Sequence, residues 1–282
     1  MSNPFFKIQQ ILKNFPILFI LISGLIFLGG YTGQEKSLSK TNLNWTDYYI
    51  LKLNRIELPF SNTGVLGYVS ANQSIPGGKF DGKTVLFSGG FLLGGYIKPG
   101  TANERLFVNG IFPTYRLFDY QPGKVGMDKD DPKSKIYIVQ SSDRPFSKSW
   151  LEWKTAVELG AEFYDGDGDG IYNPTDKNNN GQWDTDEDKP NLIGDFTAWC
   201  VYNDGVPKNS RSLMIDPLGI EIHQTIWAYN YVAPLSNSIF IRYKIIFKGN
   251  SIYPDLNQLD SVIFSFINDQ DIGDYLDDLL GT

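Results

Sequence analysis

From residue 49 the chain alternates. Tyr49, Leu51 and Leu53 fall on one side, and Ile50, Lys52 and Asn54 on the other. That is the period of a strand with one buried face. Ser61-Asn62-Thr63-Gly64 has turn composition,. Residues 71–82 and 121–134, rich in Gly, Pro, Asp and Lys, read as loops,. Further strands are predicted at 84–87 and 91–97, split by Ser88-Gly89-Gly90, and at 105–108, 114–118 and 135–140,. Residues 147–160 have a helical period instead. Trp150, Trp153 and Val157 share a face, and Gly160 supplies a stop,. Such a tryptophan pair can be a sugar platform, but core packing is the simpler reading.

The C-terminal part alternates most clearly. In 220–231, Ile220, Ile222, Ile226 and Ala228 share one face, while Glu221, His223, Trp227, Tyr229 and Tyr231 share the other. In 239–248, Ile239, Ile241, Tyr243, Ile245 and Phe247 are predicted inward and Arg242, Lys244 and Lys248 outward. In 260–267, Val262, Phe264 and Phe266 alternate with Ser261, Ile263 and Ser265. Successive period-two strands with turns between them predict a mainly β fold, an antiparallel sandwich with one short helix and an Asp-rich loop. The chain of 282 residues is long enough for a substantial core,.

The first 33 residues differ. Lys7 and Lys13 precede an apolar run from Pro16 to Leu28, and small residues follow at Gly29, Gly30 and Gly33. A run of that length spans about 20 Å as helix, short of the roughly 30 Å hydrocarbon core. The pattern predicts a signal peptide over 1–33 and no stable membrane span after its cleavage, as against an uncleaved anchor. No Cys follows the run, so a lipoprotein anchor is excluded. Residues 34–47 read as a polar linker, and 48–282 as a β-rich extracellular region. The expected location is secreted or at the outer cell surface, where calcium is available.

Composition narrows the chemistry. The net charge is −7 and the pI about 4.8, which disfavours nucleic acid as a partner,. One Cys, Cys200, precludes an intrachain disulfide, and one His, His223, precludes His-pair metal chemistry,. No G-x-S-x-G nucleophile elbow or phosphate-binding glycine loop is present. Cys200 lies in an apolar run and reads as a buried thiol, and His223 as a packed or surface side chain. Asp269, Asp271, Asp274, Asp277 and Asp278 crowd the C-terminus. They read as a cation site or solvated turn rather than an acid/base pair.

The negative charge is concentrated in DGDGDGIYNPTDKNNNGQWDTDED, residues 165–188. This segment holds seven Asp, one Glu and one Lys, a charge of −7. A twelve-position calcium loop places oxygen ligands at 1, 3, 5, 7, 9 and 12, with Gly at 6. Counted from Asp165, the ligands are Asp165, Asp167, Asp169, the Ile171 carbonyl, Asn173 and Asp176, with Gly170 at the turn. Counted from Asp176, they are Asp176, Asn178, Asn180, the Gln182 carbonyl, Asp184 and Glu187, with Gly181 at the turn. Either Asp176 bridges two ions, or the first loop takes its last ligand from Asp186, Asp188 or Glu162. Hard oxygens in irregular array suit calcium better than magnesium or zinc. The alternative is a solvated acidic turn. Lys189-Pro190 blocks an exiting helix, so a structural staple is expected rather than a sensor that opens.

Several segments together resemble large exported proteins of bacteria that use the type IX secretion system. They are LFSGGFLLGG (86–95), WLEWK (150–154), GAEFYDGDGDGIYNP (160–174), Gly194-Asp195 with WCVYND (199–204), LGIEI (218–222) and DQDIGDYLDDLLG (269–281). The resemblance runs from about residue 45 to the end. It implies calcium at the Asp-rich loop and no catalytic residues. Members of that family usually continue into fibronectin-like modules and a C-terminal sorting domain, so the expectation is an N-terminal fragment. The functional expectation is an exported, calcium-stabilised module with a structural, adhesive or binding role toward a surface partner or glycan. The rival is a secreted carbohydrate-binding module or hydrolase-associated domain, suggested by Trp183, Trp227, Tyr229 and Tyr231.

Overall fold

A computed structural model of the chain describes residues 47–70, 75–97, 105–230 and 235–272. The predicted signal peptide, most of the predicted linker, Tyr231 and the Asp274, Asp277 and Asp278 acids lie outside the described residues. Asp47, the last linker residue, is fixed: its carboxylate accepts the Ile136 N–H at 2.7 Å.

The strands in chain order are β1 (Tyr48–Leu53), β2 (Ile56–Ser61), β3 (Val69–Ser70), β4 (Ile75–Pro76), β5 (Gly78–Phe80), β6 (Lys83–Ile97), β7 (Arg105–Phe112), β8 (Leu117–Phe118), β9 (Gln121–Pro122) and β10 (Tyr137–Gln140). One helix, α1 (Lys148–Leu159), follows, then β11 (Phe163–Tyr164), β12 (Lys189–Pro190), β13 (Phe196–Asn203), β14 (Ile220–Ala228), β15 (Ile239–Phe247) and β16 (Leu259–Gln270). Every pairing is antiparallel. The first large sheet runs β1-β2-β5-β6-β7-β8, with β16 also on β6; the second runs β10-β13-β14-β15, with β9 on β13. β3 pairs β4 and β11 pairs β12 as small separate hairpins.

The two large sheets enclose one core. Leu51, Phe60, Phe91, Leu93, Phe107 and Ile111 come from the first, and Phe196, Cys200, Tyr202, Ile220, Ile222 and Ile226 from the second. The expected inward residues of 220–228 are therefore the buried ones. A second core lies on the other side of the second sheet, where Trp153, Ala156 and Leu159 of α1 cover Tyr137, Val139, Trp199 and Val201. β13 is buried at all eight positions because both its faces are covered. That places Cys200 in the core, where desolvation pushes its thiol well above the ordinary range,.

α1 begins after Ser147 and ends at Gly160, whose N–H reaches Ala156 O and Val157 O at a φ of 114°,. Its buried residues are Trp150, Trp153, Ala156 and Leu159, with Val157 at the margin. The tryptophans are core packing, as the helical stripe suggested.

Several expectations about strands need correction. Ile245, expected inward, is 38% exposed, and of residues 114–118 only Leu117–Phe118 are strand, after a 3-10 turn at Pro113–Tyr115. Residues 83–97 form one strand, not two: Gly90 does not break it, because a Cβ there would stand 1.8 Å from Ile111 O of β7. Glycine is needed for the close approach of two strands rather than for a turn. Residues 71–82 contain β4 and β5, and 121–134 begins with β9. In β16 only Phe264 of the three residues expected inward packs on the core; Val262 and Phe266 are 44% and 52% exposed. A bulge between Asp260 and Ile263, with Ser261 at a φ of 50°, shifts the register,.

His223 is packed beneath α1. Its Nε2 lies 2.8 Å from Glu221 Oε1, and the ring meets Trp199 edge-on. Burial opposes the charge on Glu221, but the His223 hydrogen bond and the Val125 N–H hold its carboxyl below the usual range,. A carboxylate held low contributes stability above its unfolded pKa and loses it as pH falls through the lower, folded value. Glu221→Gln is therefore expected to flatten the acid limb of melting temperature against pH between about pH 5 and 3. A calorimetric pH series on both proteins checks this.

Candidate metal centre

The acidic segment leaves the body of the protein and returns through one narrow base. Phe163 pairs Pro190 and Tyr164 pairs Lys189, so β11 and β12 close residues 165–188 into a single excursion. Lys189-Pro190 is a strand, and no helix exits the loop. The excursion is anchored by an aromatic at the eighth position of each predicted loop. Tyr172 is buried; its hydroxyl donates to Trp150 O at 2.9 Å and its ring meets Phe163 edge-on. Trp183 Nε1 donates to Glu187 O at 2.9 Å, its ring meets Tyr164 edge-on, and Lys189 Nζ lies 3.7 Å from the ring centroid,.

The two halves repeat one hydrogen-bond pattern with a shift of eleven residues. Asp165 Oδ2 accepts the Gly170 N–H at 2.9 Å, and Asp176 Oδ2 accepts the Gly181 N–H at 2.8 Å. Asp167 Oδ1 accepts from Asp169 N, and Asn178 Oδ1 from Asn180 N. Asp169 Oδ1 accepts from Ile171 N at 2.7 Å, and Asn180 Oδ1 from Gln182 N at 2.6 Å. Gly170 and Gly181 both take positive φ, 76° and 73°, which turns the chain back over the oxygens,.

The closing carboxylates complete the repeat and decide which acid ends the first loop. Glu187 accepts from Lys177 N at 2.6 Å and Asp184 N at 2.9 Å, positions 2 and 9 of the second loop. Asp188 accepts from Gly166 N at 3.0 Å and Asn173 N at 2.8 Å, positions 2 and 9 of the first. Asp188, and not Asp176, is the carboxylate hydrogen-bonded at positions 2 and 9 of the first loop. Both oxygens of Asp176 are turned into the second loop, toward Asn180 N and Gly181 N. Of the other donors considered, Glu162 binds Asn191 and Arg242, and Asp186 offers its backbone carbonyl to Lys177. Glu187 and Asp188 are 1% and 2% exposed. Asp188 reaches the first loop because Gly166 lies directly against the Glu187 backbone, where a Cβ would meet Glu187 O at 2.3 Å.

Asp165, Asp167 and Asp188 each present a carboxylate oxygen within 4.8 Å of the other two. In the second loop Asp184 Oδ2 takes the side-chain amides of Asn178 and Asn180 at 2.8 and 2.9 Å. Lys177, in the second loop, reaches across to the first, with Nζ 3.2 Å from Asp167 Oδ2. The Lys177 hydrogen bond holds Asp167 below the usual carboxylate range. In return, and despite partial desolvation, Asp167, Asp186 and Asp188 hold Lys177 above the usual ammonium range.

The other candidates are spread through the fold. Asp269 accepts from Thr114 Oγ1 at 2.5 Å. Trp227 is stacked on Phe240, centroids 5.5 Å apart, and Tyr229 meets the same ring edge-on, so these rings are engaged with one another. No family model, curated protein or solved structure matches this chain.

Proposed function

We propose that residues 165–188 bind calcium, in two sites, and so staple an exported β-rich module with a structural, adhesive or binding role at or beyond the cell surface. The observation that carries this reading is the convergence of Asp165, Asp167 and Asp188, one of them buried, with a single ammonium beside them. Three carboxylates held this close repel one another unless a cation is present. Their donor set is all hard oxygen, which suits calcium and fits zinc poorly. Asp169, the Ile171 carbonyl and Asn173 complete the first site, and Asp176, Asn178, Asn180, the Gln182 carbonyl, Asp184 and Glu187 form the second. The buried base supports a structural role: the loop is tied through Tyr172 to α1 and through β12 to the segment that leads into β13.

Export rests on the N-terminal pattern and on the resemblance to type IX secretion cargo. It accords with the calcium reading, because millimolar calcium is found outside the cell. Titration calorimetry of the purified protein is expected to give two binding events with calcium and weaker heats with magnesium. Absence of heat, together with a melting temperature indifferent to EDTA, would remove the reading. Glycan binding on an array would favour the carbohydrate-binding rival.

A further inference from the structure

Two strands of the sandwich end their sheets with an outer side that no described residue pairs. β15 pairs only β14, and β16 pairs only β6. They lie on the same flank, since the rings of Tyr243 on β15 and Phe264 on β16 stand 5.0 Å apart between the sheets.

A long edge strand is a template for pairing with another chain, and proteins usually guard such edges with lysine, proline, bulges or shortness. β16 is 12 residues long. Its two register shifts lie at its ends, between Asp260 and Ile263 and between Asp269 and Gln270, and from Val262 to Asn268 it has no charge and no proline. Ile263 and Phe266, in that stretch, are 63% and 52% exposed. Uncharged β-branched and aromatic residues on an open edge favour addition of a strand.

Charge selects the partner. Residues 239–248 carry Arg242, Lys244 and Lys248 and no acid, whereas β16 carries Asp260 and Asp269, near its two ends, and no Lys or Arg. Pairing β16 with its own copy would bring like-charged carboxylates together and no cation between them. Pairing it with β15 of a second copy opposes unlike charges, which stabilises cross-strand contacts. Because both edges share one flank, a single two-fold axis forms both pairings at once and closes the assembly.

We propose that this flank is the interface of a homodimer in which β15 of each copy runs beside β16 of the other. Each sheet then continues into the opposite sheet of the partner, and Ile263 and Phe266 become buried.

Sedimentation velocity of the purified full chain tests this between 1 and 100 µM. A monomer–dimer equilibrium is expected, weakened at least tenfold by Phe266→Lys at an unchanged melting temperature and weakened also by high salt. Disulfide trapping reads the pairing. Chains carrying Lys244→Cys mixed with chains carrying Ser265→Cys are expected to cross-link on oxidation, and neither chain alone. A monomer at every concentration, a dimer indifferent to Phe266→Lys, or self-cross-linking of the Ser265→Cys chain would overturn the proposal.

Discussion

Asp188→Ala is expected to abolish the calcium response of the first loop and to destabilise the protein even in chelator. The side chain is buried and accepts two backbone N–H groups, Gly166 and Asn173, in part-buried hydrogen bonds. Leaving a fully buried donor unpaired costs about 1–3 kcal/mol; these two are part-buried, so about 1–3 kcal/mol is expected for the pair together. The second part is ligand linkage. At ~1 mM free calcium and a Kd of ~10 µM, one site stabilises the fold by about 2.7 kcal/mol. For a domain of this size that is about 5–10 °C in melting temperature. Wild type should therefore lose that much per site on adding EDTA, and Asp188→Ala should lose only the share of the second loop. Asp188→Asn separates the effects, since its amide oxygen still accepts one hydrogen bond but brings no charge. It should keep part of the chelator-state stability and lose the calcium increment. Paired scans with calcium and with EDTA on the three proteins measure both terms. An Asp188→Asn protein whose calcium increment equals that of wild type would show that this carboxylate is not a ligand.

Trp153→Ala should destabilise by about 3–5 kcal/mol, the usual cost of truncating a large buried aromatic. Trp153 is 2% exposed and fills the layer between α1 and the second sheet, against Tyr137, Val139, Trp199 and Val201. Its Nε1 also donates to Glu162 O at 3.0 Å, immediately before β11. The substitution removes core volume and loosens the strand on which the acidic excursion stands. Calcium affinity should fall with stability, whereas Leu151→Ala, on the exposed side of α1, should change neither,. Denaturant unfolding and titration calorimetry on the two variants provide the comparison.

Strand period and helix stripe were legible because each depends on residues near one another in sequence. Leu51, Ile220, Ile222 and Ile226 are buried as their alternation indicated, and Trp150 and Trp153 as their spacing indicated. What failed depends on neighbours from elsewhere in the chain. Ser88-Gly89-Gly90 has turn composition, yet Gly90 answers to the β7 backbone at Ile111. Phe266 has the phase of Phe264, which packs on the core, yet is 52% exposed. In the acidic loop the oxygen donors and turn glycines could be counted from spacing. The closing acid of the first loop could not, because Asp188 reaches Gly166 only through the β11–β12 base. The one available signal was the doublet Glu187-Asp188, two adjacent acids for two loops. Lys177 gave no sign in a one-dimensional reading that its ammonium would serve the neighbouring loop.

The burial of Cys200 has a practical corollary. The protein carries its own stopwatch: a lone thiol, sealed by two layers on a strand hydrogen-bonded along both sides, should meet a colorimetric disulfide reagent only when the whole body opens. The reaction rate, followed with and without calcium, would report how long the molecule survives between openings.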